Sequence, residues 1–124
     1  MDEIRTNDAP ESIGPFSQAI RDGEKIYVSG QGPVHPETGD VVSDDIDKQT
    51  AQTLENIDSV LRAADCSLDD VVKATIFVTD MDNYDRINSV YSEYMSDPYP
   101  ARSAVEVADL PIDIGVEIEV IASS

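Results

Sequence analysis

Two segments of the chain carry apolar residues at helical spacing. Between Asp44 and Asp65, apolar or small side chains recur at steps of three and four, which places them on one stripe of a helix. That stripe consists of Ile46, Thr50, Leu54, Ile57, Leu61 and Ala64. Ser43 stands before it as the expected N-cap. A second helix is predicted from Asp80 or Asp82 onward, where the same spacing returns. Its apolar positions are Tyr84, Ile87, Tyr91 and Tyr94.

Five shorter segments are β-branched or alternate in polarity, as strands do. They are residues 17–20, 25–29, 71–79, 102–107 and 116–122. The first two flank a turn at Gly23 and predict a β-hairpin. Residues 30–39 hold too many glycines and prolines for a regular element and predict a loop. The order β-β-α-β-α-β-β predicts an α+β fold, in which two helices pack on one face of a single mixed sheet.

The composition sets limits on location and partners. A length of 124 residues fits one domain spanning residues 1–124. The net charge is −18, from 26 acidic and 8 basic residues, so the surface should repel nucleic acids and anionic membranes. Such a surface is typical of a protein adapted to high salt. No stretch is long and apolar enough to span a membrane, and the N-terminus does not resemble a signal peptide, so we expect a cytoplasmic protein. Cys66 is the only cysteine, which excludes a disulfide within the chain.

The inventory of reactive side chains is short. A nucleophilic triad would have to use His35, the only histidine, which lies in the Pro-containing loop. One imidazole and one thiol are also too few for a transition-metal site. We therefore predict a reaction without a metal or any other cofactor.

Two charged residues stand out in the last predicted strands. Arg102 begins one of them, and its guanidinium fork suits a bidentate grip on a carboxylate. Glu117 lies among β-branched neighbours in the other, where partial burial of a carboxylate is tolerated only if it is paired or has a function. On adjacent strands they would form an anion clamp beside a base. A plain salt bridge on the sheet surface is the alternative that residue types alone leave open.

Several separated blocks resemble the reactive-intermediate deaminase (Rid) family, also called the YjgF/UK114 family. These blocks are residues 9–19, 28–31, 36–39, 52–56 (QTLEN), 70–73 (DVVK), 100–103 (PARS), 105–107 (VEV), 110–111 (LP) and 116–122 (VEIEVIA). Together they extend over nearly the whole chain, which makes the resemblance much more specific than one short motif.

The resemblance implies a chorismate-mutase-like fold, assembled as a homotrimer with clefts between the subunits. Active members hydrolyse 2-imino acids and their enamine tautomers, such as 2-iminopropanoate and 2-iminobutanoate, which pyridoxal-phosphate enzymes release. The products are 2-keto acids and ammonia. By the resemblance, Arg102 binds the substrate carboxylate and Glu117 orients the attacking water. Ser29 and Gly30 match a loop that lines the cleft, and Asn88 matches an asparagine beside it.

Two positions depart from the family pattern. Phe16 stands where many members have tyrosine, so a hydroxyl contact is lost while an apolar wall remains. Ala104 stands where many active members have cysteine or threonine. Both changes affect positions expected to contact the substrate and could alter specificity or rate.

Two other functions stay open. The first is a non-catalytic trimer that binds small carboxylates or acts as a holdase. The second is an endoribonuclease, an activity attached to some relatives. The charge of −18 and the lack of a catalytic histidine pair argue against the nuclease.

Overall fold

Six β-strands form a single mixed sheet in the computed structural model, which describes residues 1–124. The elements are β1 (Asp2–Ile4), β2 (Ala19–Asp22), β3 (Lys25–Gln31), α1 (Ile46–Arg62), β4 (Val71–Val78), α2 (Tyr84–Tyr94), β5 (Ala101–Glu106) and β6 (Val116–Ser123). The strand order is β1-β2-β3-β6-β4-β5. Only β4 and β5 pair in parallel; every other pair is antiparallel. The predicted α+β architecture is confirmed.

The core lies between one face of this sheet and the two helices. All six positions of the predicted stripe are buried: five lie on α1 and Ala64 follows its end. Ile87 and Tyr91 of α2 belong to the same core. The strand alternation is also confirmed, because Val116, Ile118 and Val120 of β6 are buried. The odd-numbered positions of β6 lie on the opposite face, which no helix covers. The two faces therefore offer different surroundings to a functional side chain.

The first helix begins differently from the prediction. Asp45, and not Ser43, is the N-cap, and its carboxylate accepts a hydrogen bond from the Lys48 N–H at 3.2 Å. The Ser43 hydroxyl instead accepts from the Asp45 N–H at 3.0 Å, in a short turn before the helix. A carboxylate at the cap also interacts with the helix dipole, which favours Asp45 over a neutral serine.

The chain after α1 turns sharply into the core. Asp65 adopts a left-handed conformation with φ of 60°. The Cys66 N–H then donates to the Leu61 carbonyl, and the Cys66 side chain is buried in the main core. Burial and the nearby Asp70 raise the pKa of this thiol.

The N-terminal half contains one strand that the sequence pattern did not indicate. β1 has only three residues, two of them acidic, so it shows no apolar alternation. The predicted hairpin is confirmed as β2 and β3, with Gly23 at φ 63° in its turn. β3 continues to Gln31 and so includes the first two residues of the predicted loop. Its pairing with β6 shifts between Val28 and Gln31, which is a β-bulge.

Charge is confined to the surface. No aspartate or glutamate is buried, and in each of the three ion pairs, Arg62–Asp58, Arg86–Asp45 and Arg86–Asp47, the arginine is solvent-exposed. Exposed pairs of this kind add little stability. Neither helix has the length and apolar character that crossing a membrane requires.

Candidate active site

Arg102 lies on the helix-covered side of β5, against tyrosines of α2. Its Nη2 donates a hydrogen bond to the Tyr84 hydroxyl at 2.9 Å. The guanidinium carbon is 4.9 Å from the centre of the Tyr91 ring and 5.6 Å from that of Tyr84, within cation–π range. This arginine borders a cavity of about 340 Å³, which we call the Arg102 cavity. Its lining is Asn88, Tyr91, Ser92, Tyr99, Pro100 and Arg102.

The Arg102 cavity has polar groups without partners. Arg102 forms no ion pair with any carboxylate of its own chain. The side-chain oxygens of Asn88 and Tyr91 are buried and make no hydrogen bond. Burial raises the pKa of Tyr91, so its hydroxyl stays neutral, while the charge of Arg102 partly opposes that shift. An unpaired guanidinium at the edge of a cavity suits a small ligand that has a carboxylate.

Glu117 lies on the other face of the sheet and lines a second cavity. This cavity, of about 600 Å³, is formed by the turn from Pro10 to Phe16, the end of β3, the loop that follows it and the segment before β6. We call it the Glu117 cavity. Phe16 contributes an aromatic wall that is half exposed. The carboxylate lies directly on the backbone of Gly30: a Cβ at that position would be 2.7 Å from Oε2 of Glu117.

The β-bulge explains this close approach. Ser29 and Gly30 together face only Glu119 of β6, because Val28 pairs with Val120 and Gln31 pairs with Ile118. The extra residue bends β3, and glycine leaves the space that the Glu117 side chain fills. A β-carbon at position 30 would displace the carboxylate.

Glu117 has the electrostatics of a base without a partner. It accepts no hydrogen bond and forms no ion pair within the chain. Burial is the main cause that raises its pKa, and the charge of Glu119 on the same face adds to the shift. A raised pKa makes a carboxylate a better proton acceptor, provided that it remains ionised at working pH.

The expectation that Arg102 and Glu117 lie on adjacent strands is wrong. β4 runs between β5 and β6. Arg102 is in register with Ala74 of β4, while Glu117 is in register with Phe77, three residues further along. Because side chains alternate along a strand, the two residues point to opposite faces. This geometry also excludes a salt bridge between them within one chain.

The structure divides the other predicted residues between the two cavities. Gly30 and Phe16 lie with Glu117, and Asn88 lies with Arg102. Ser29 borders neither cavity, and its hydroxyl donates to the Ser17 carbonyl at 2.6 Å. Ala104 shares the face of Arg102 but packs against the core.

Sequence reasoning missed the tyrosines around Arg102. Tyr84 and Tyr91 are seven residues apart on α2, a spacing that puts both on one side of the helix. The pattern indicated an apolar stripe but not that an arginine of β5 would lie against it. Tyr99 follows α2 and precedes β5, where no periodic signal exists.

As for metals, no three His, Cys, Asp or Glu side chains are grouped closely enough to share an ion.

The chain is thus a small α+β protein, in which two helices cover one face of a mixed sheet. An unpaired arginine and an unpaired glutamate border separate surface cavities. The chain belongs to the endoribonuclease L-PSP family, also known as the Rid or YjgF family, whose model matches residues 6–124. The family inferred from the sequence blocks is thus confirmed.

Relatives of this chain cover nearly its whole length. A RutC family protein of Pyrococcus horikoshii is 50% identical over 119 residues, which are 96% of this chain and 94% of that protein. The 2-iminobutanoate/2-iminopropanoate deaminase of Salmonella typhimurium is 42% identical over 96% of this chain and 94% of that enzyme. The crystal structure of Escherichia coli TdcF with bound serine has a TM-score of 0.94 and 39% identity, covering 100% of this chain and 99% of that one.

Proposed function

We propose that this protein hydrolyses 2-imino acids to 2-keto acids and ammonia, at sites formed between copies of the chain. The observation that carries the proposal is the pair of unmatched groups. Arg102 has no carboxylate, and Glu117 has no hydrogen-bond donor, each in its own cavity. The 42% identity to a 2-iminobutanoate/2-iminopropanoate deaminase supports it. So does the serine bound to TdcF, since serine carries a carboxylate and a nitrogen on the neighbouring carbon.

The chemistry follows from those two groups. Arg102 binds the substrate carboxylate and fixes the adjacent C=N carbon. Glu117 accepts a proton from water as the water oxygen bonds to that carbon and the C=N electron pair moves to nitrogen. Glu117 returns that proton to the nitrogen, which gives a carbinolamine with one hydroxyl and one NH2 group. Glu117 then takes the hydroxyl proton and passes it to the NH2 group. The C–N bond breaks as the C=O bond forms, which releases ammonia and leaves the keto acid. A base within hydrogen-bond reach contributes about 10² to 10⁴-fold to such a step.

The assembly that completes the site is head to tail. The Arg102 cavity and the Glu117 cavity are different surfaces of one chain, so joining them between copies repeats the same unlike contact. Contacts of this type close into rings when the rotation permits. A homotrimer, as the family resemblance implies, is the ring we propose. In sedimentation it has about three times the chain mass of 13.5 kDa.

The alternatives have less support. A non-catalytic binder of carboxylates requires Arg102 but gives Glu117 no role, although a half-buried carboxylate without a partner is unfavourable for folding. An endoribonuclease, the activity in the family's description, needs a surface that attracts phosphates. This chain has a net charge of −18. Arg102 is the one basic residue that lies against aromatic rings.

A coupled assay tests the proposal. An amino-acid oxidase or dehydratase supplies the imine, and formation of keto acid is followed with and without the purified protein. The wild type should accelerate hydrolysis, and Arg102→Ala should abolish both acceleration and binding of 2-oxobutanoate. Glu117→Gln should keep the binding and lose the rate, because an amide holds water but cannot take its proton. Binding without acceleration by the wild type would identify a carboxylate binder instead.

A further inference from the structure

Arg102 is held in place by neutral groups only. The Tyr84 hydroxyl accepts a hydrogen bond from Nη2 of Arg102 at 2.9 Å, and the rings of Tyr84 and Tyr91 lie within cation–π distance of the guanidinium. No carboxylate contacts it. A tyrosine hydroxyl fixes the direction of the fork without neutralising its charge, so the full charge stays available to an anionic ligand.

Tyr84 is itself placed by the start of α2. It follows a 3₁₀ turn of residues 81–83, capped by the Asp80 carboxylate. The Met81 N–H in that turn donates to the Glu106 carboxylate of β5 at 2.7 Å. The turn is thereby tied to the strand that carries Arg102, and the hydroxyl of Tyr84 is presented to Arg102 at a fixed distance.

We propose that Tyr84 is a positioning residue for carboxylate binding: its hydroxyl orients the guanidinium so that the remaining N–H groups meet the ligand. The inference rests on the proposed function only for the identity of the ligand, a 2-imino or 2-keto acid. An arginine that is already oriented loses less side-chain freedom on binding, so the hydroxyl acts mainly on affinity. Tyr84 does not contact the reacting C=N group and has no direct effect on the chemical step.

The variant Tyr84→Phe removes the hydroxyl and keeps the ring. We expect Kd for 2-oxobutanoate, measured by calorimetry, and KM for the imine to rise by about threefold to tenfold, the usual cost of immobilising one free side chain on binding. The kcat value should change by less than about twofold, since binding weakens equally in the ground state and the transition state and the barrier between them is unchanged. Tyr94→Phe is the matched control, because its hydroxyl lies on the same helix and makes no hydrogen bond to Arg102. It should leave Kd, KM and kcat unchanged.

A second comparison asks whether Tyr84 acts through Arg102. In the Arg102→Lys background the fork is absent, so Tyr84→Phe should weaken binding by a smaller factor than in the wild type. An undiminished factor would mean that Tyr84 contacts the ligand directly, and the positioning role would be wrong.

The outcomes separate this inference from the proposed function. If Tyr84→Phe leaves Kd and KM unchanged, or lowers kcat alone, the positioning role is wrong and the deaminase proposal stands. If the wild type binds 2-oxobutanoate but does not hydrolyse imines, weaker binding by Tyr84→Phe supports positioning while the deaminase proposal fails. If the wild type binds no carboxylate, both proposals are overturned.

Discussion

Glu117 is unfavourable for folding in its surroundings, and it is also the proposed general base. Its carboxylate is half-buried with no donor nearby, and Glu119, two residues along the same face, adds a repulsive charge. Both effects raise its pKa and favour the protonated form. A base must be ionised to accept a proton, so activity should fall as pH decreases through the pKa of Glu117.

Neutralising Glu119 should therefore change the pH profile. In Glu119→Gln the burial of Glu117 remains, but the repulsion is gone, so the pKa of Glu117 falls toward its ordinary value. We expect the acid limb of kcat/KM to move to lower pH, measured at the lowest salt that keeps the protein active, because salt screens the Glu119 charge.

Glu93→Gln is the control for this shift. It removes the same charge from α2, on the other side of the sheet, and should leave the limb in place. Equal shifts in both variants would point to a general effect of net charge. If the acid limb does not shift in Glu119→Gln, the fall of kcat/KM at low pH is not caused by protonation of Glu117.

At the level of elements, periodicity predicted what depends on local sequence. The six predicted stripe positions are buried and the two faces of β6 were predicted, because a side chain's direction follows from spacing within one element. The buried face of α1 is wider than the stripe, since it also includes Gln49, Thr53, Asn56 and Val60. β1 was missed because three residues carry too little pattern. The positions of Arg102 and Glu117 relative to each other were mispredicted because strand order is set by contacts distant in sequence, and β4 lies between their strands.

The bulge in β3 is the element feature with the clearest functional test. Gly30→Ala places a Cβ 2.7 Å from Oε2 and 2.8 Å from Cδ of Glu117, so the carboxylate must move. A displacement of about 1 Å can lower a rate by about 10²-fold, and we expect kcat to fall by roughly tenfold to a hundredfold. Affinity for 2-oxobutanoate should change less, because Arg102 is untouched. Wild-type kcat in Gly30→Ala would show that Glu117 does not require this placement.

At the level of the whole molecule, the two cavities predict complementation between inactive chains. A copy with Arg102→Ala still offers Glu117, and a copy with Glu117→Gln still offers Arg102. Co-expressed in equal amounts, they should assemble at random, so that about one site in four is complete and activity returns to about a quarter of the wild-type level.

The control for complementation pairs either single variant with the double variant. The double variant Arg102→Ala/Glu117→Gln contributes neither group, so no complete site can form and no activity should return. Absence of recovery in the mixture of single variants would mean that both residues act within one copy.

The net charge predicts how the assembly responds to salt. Three copies carry a formal charge of −54, three times −18, whereas the internal ion pairs are few and exposed. Screening lengths grow from ~3 Å at 1 M to ~30 Å at 0.01 M salt, so repulsion between copies strengthens on dilution. We expect sedimentation to show dissociation first and circular dichroism to show unfolding at lower salt, with activity lost at the first step. A trimer that is folded and active at about 10 mM salt would show that packing outweighs repulsion.

The burial of Cys66 provides a means of timing how the native core opens. The chain has no tryptophan, so intrinsic fluorescence offers little signal, but its single thiol is enclosed in the core and its raised pKa keeps it in the unreactive protonated form. A thiol reagent can modify Cys66 only when the region around the end of α1 opens. The modification rate of the unaltered protein therefore reports how often that region opens, without an added label.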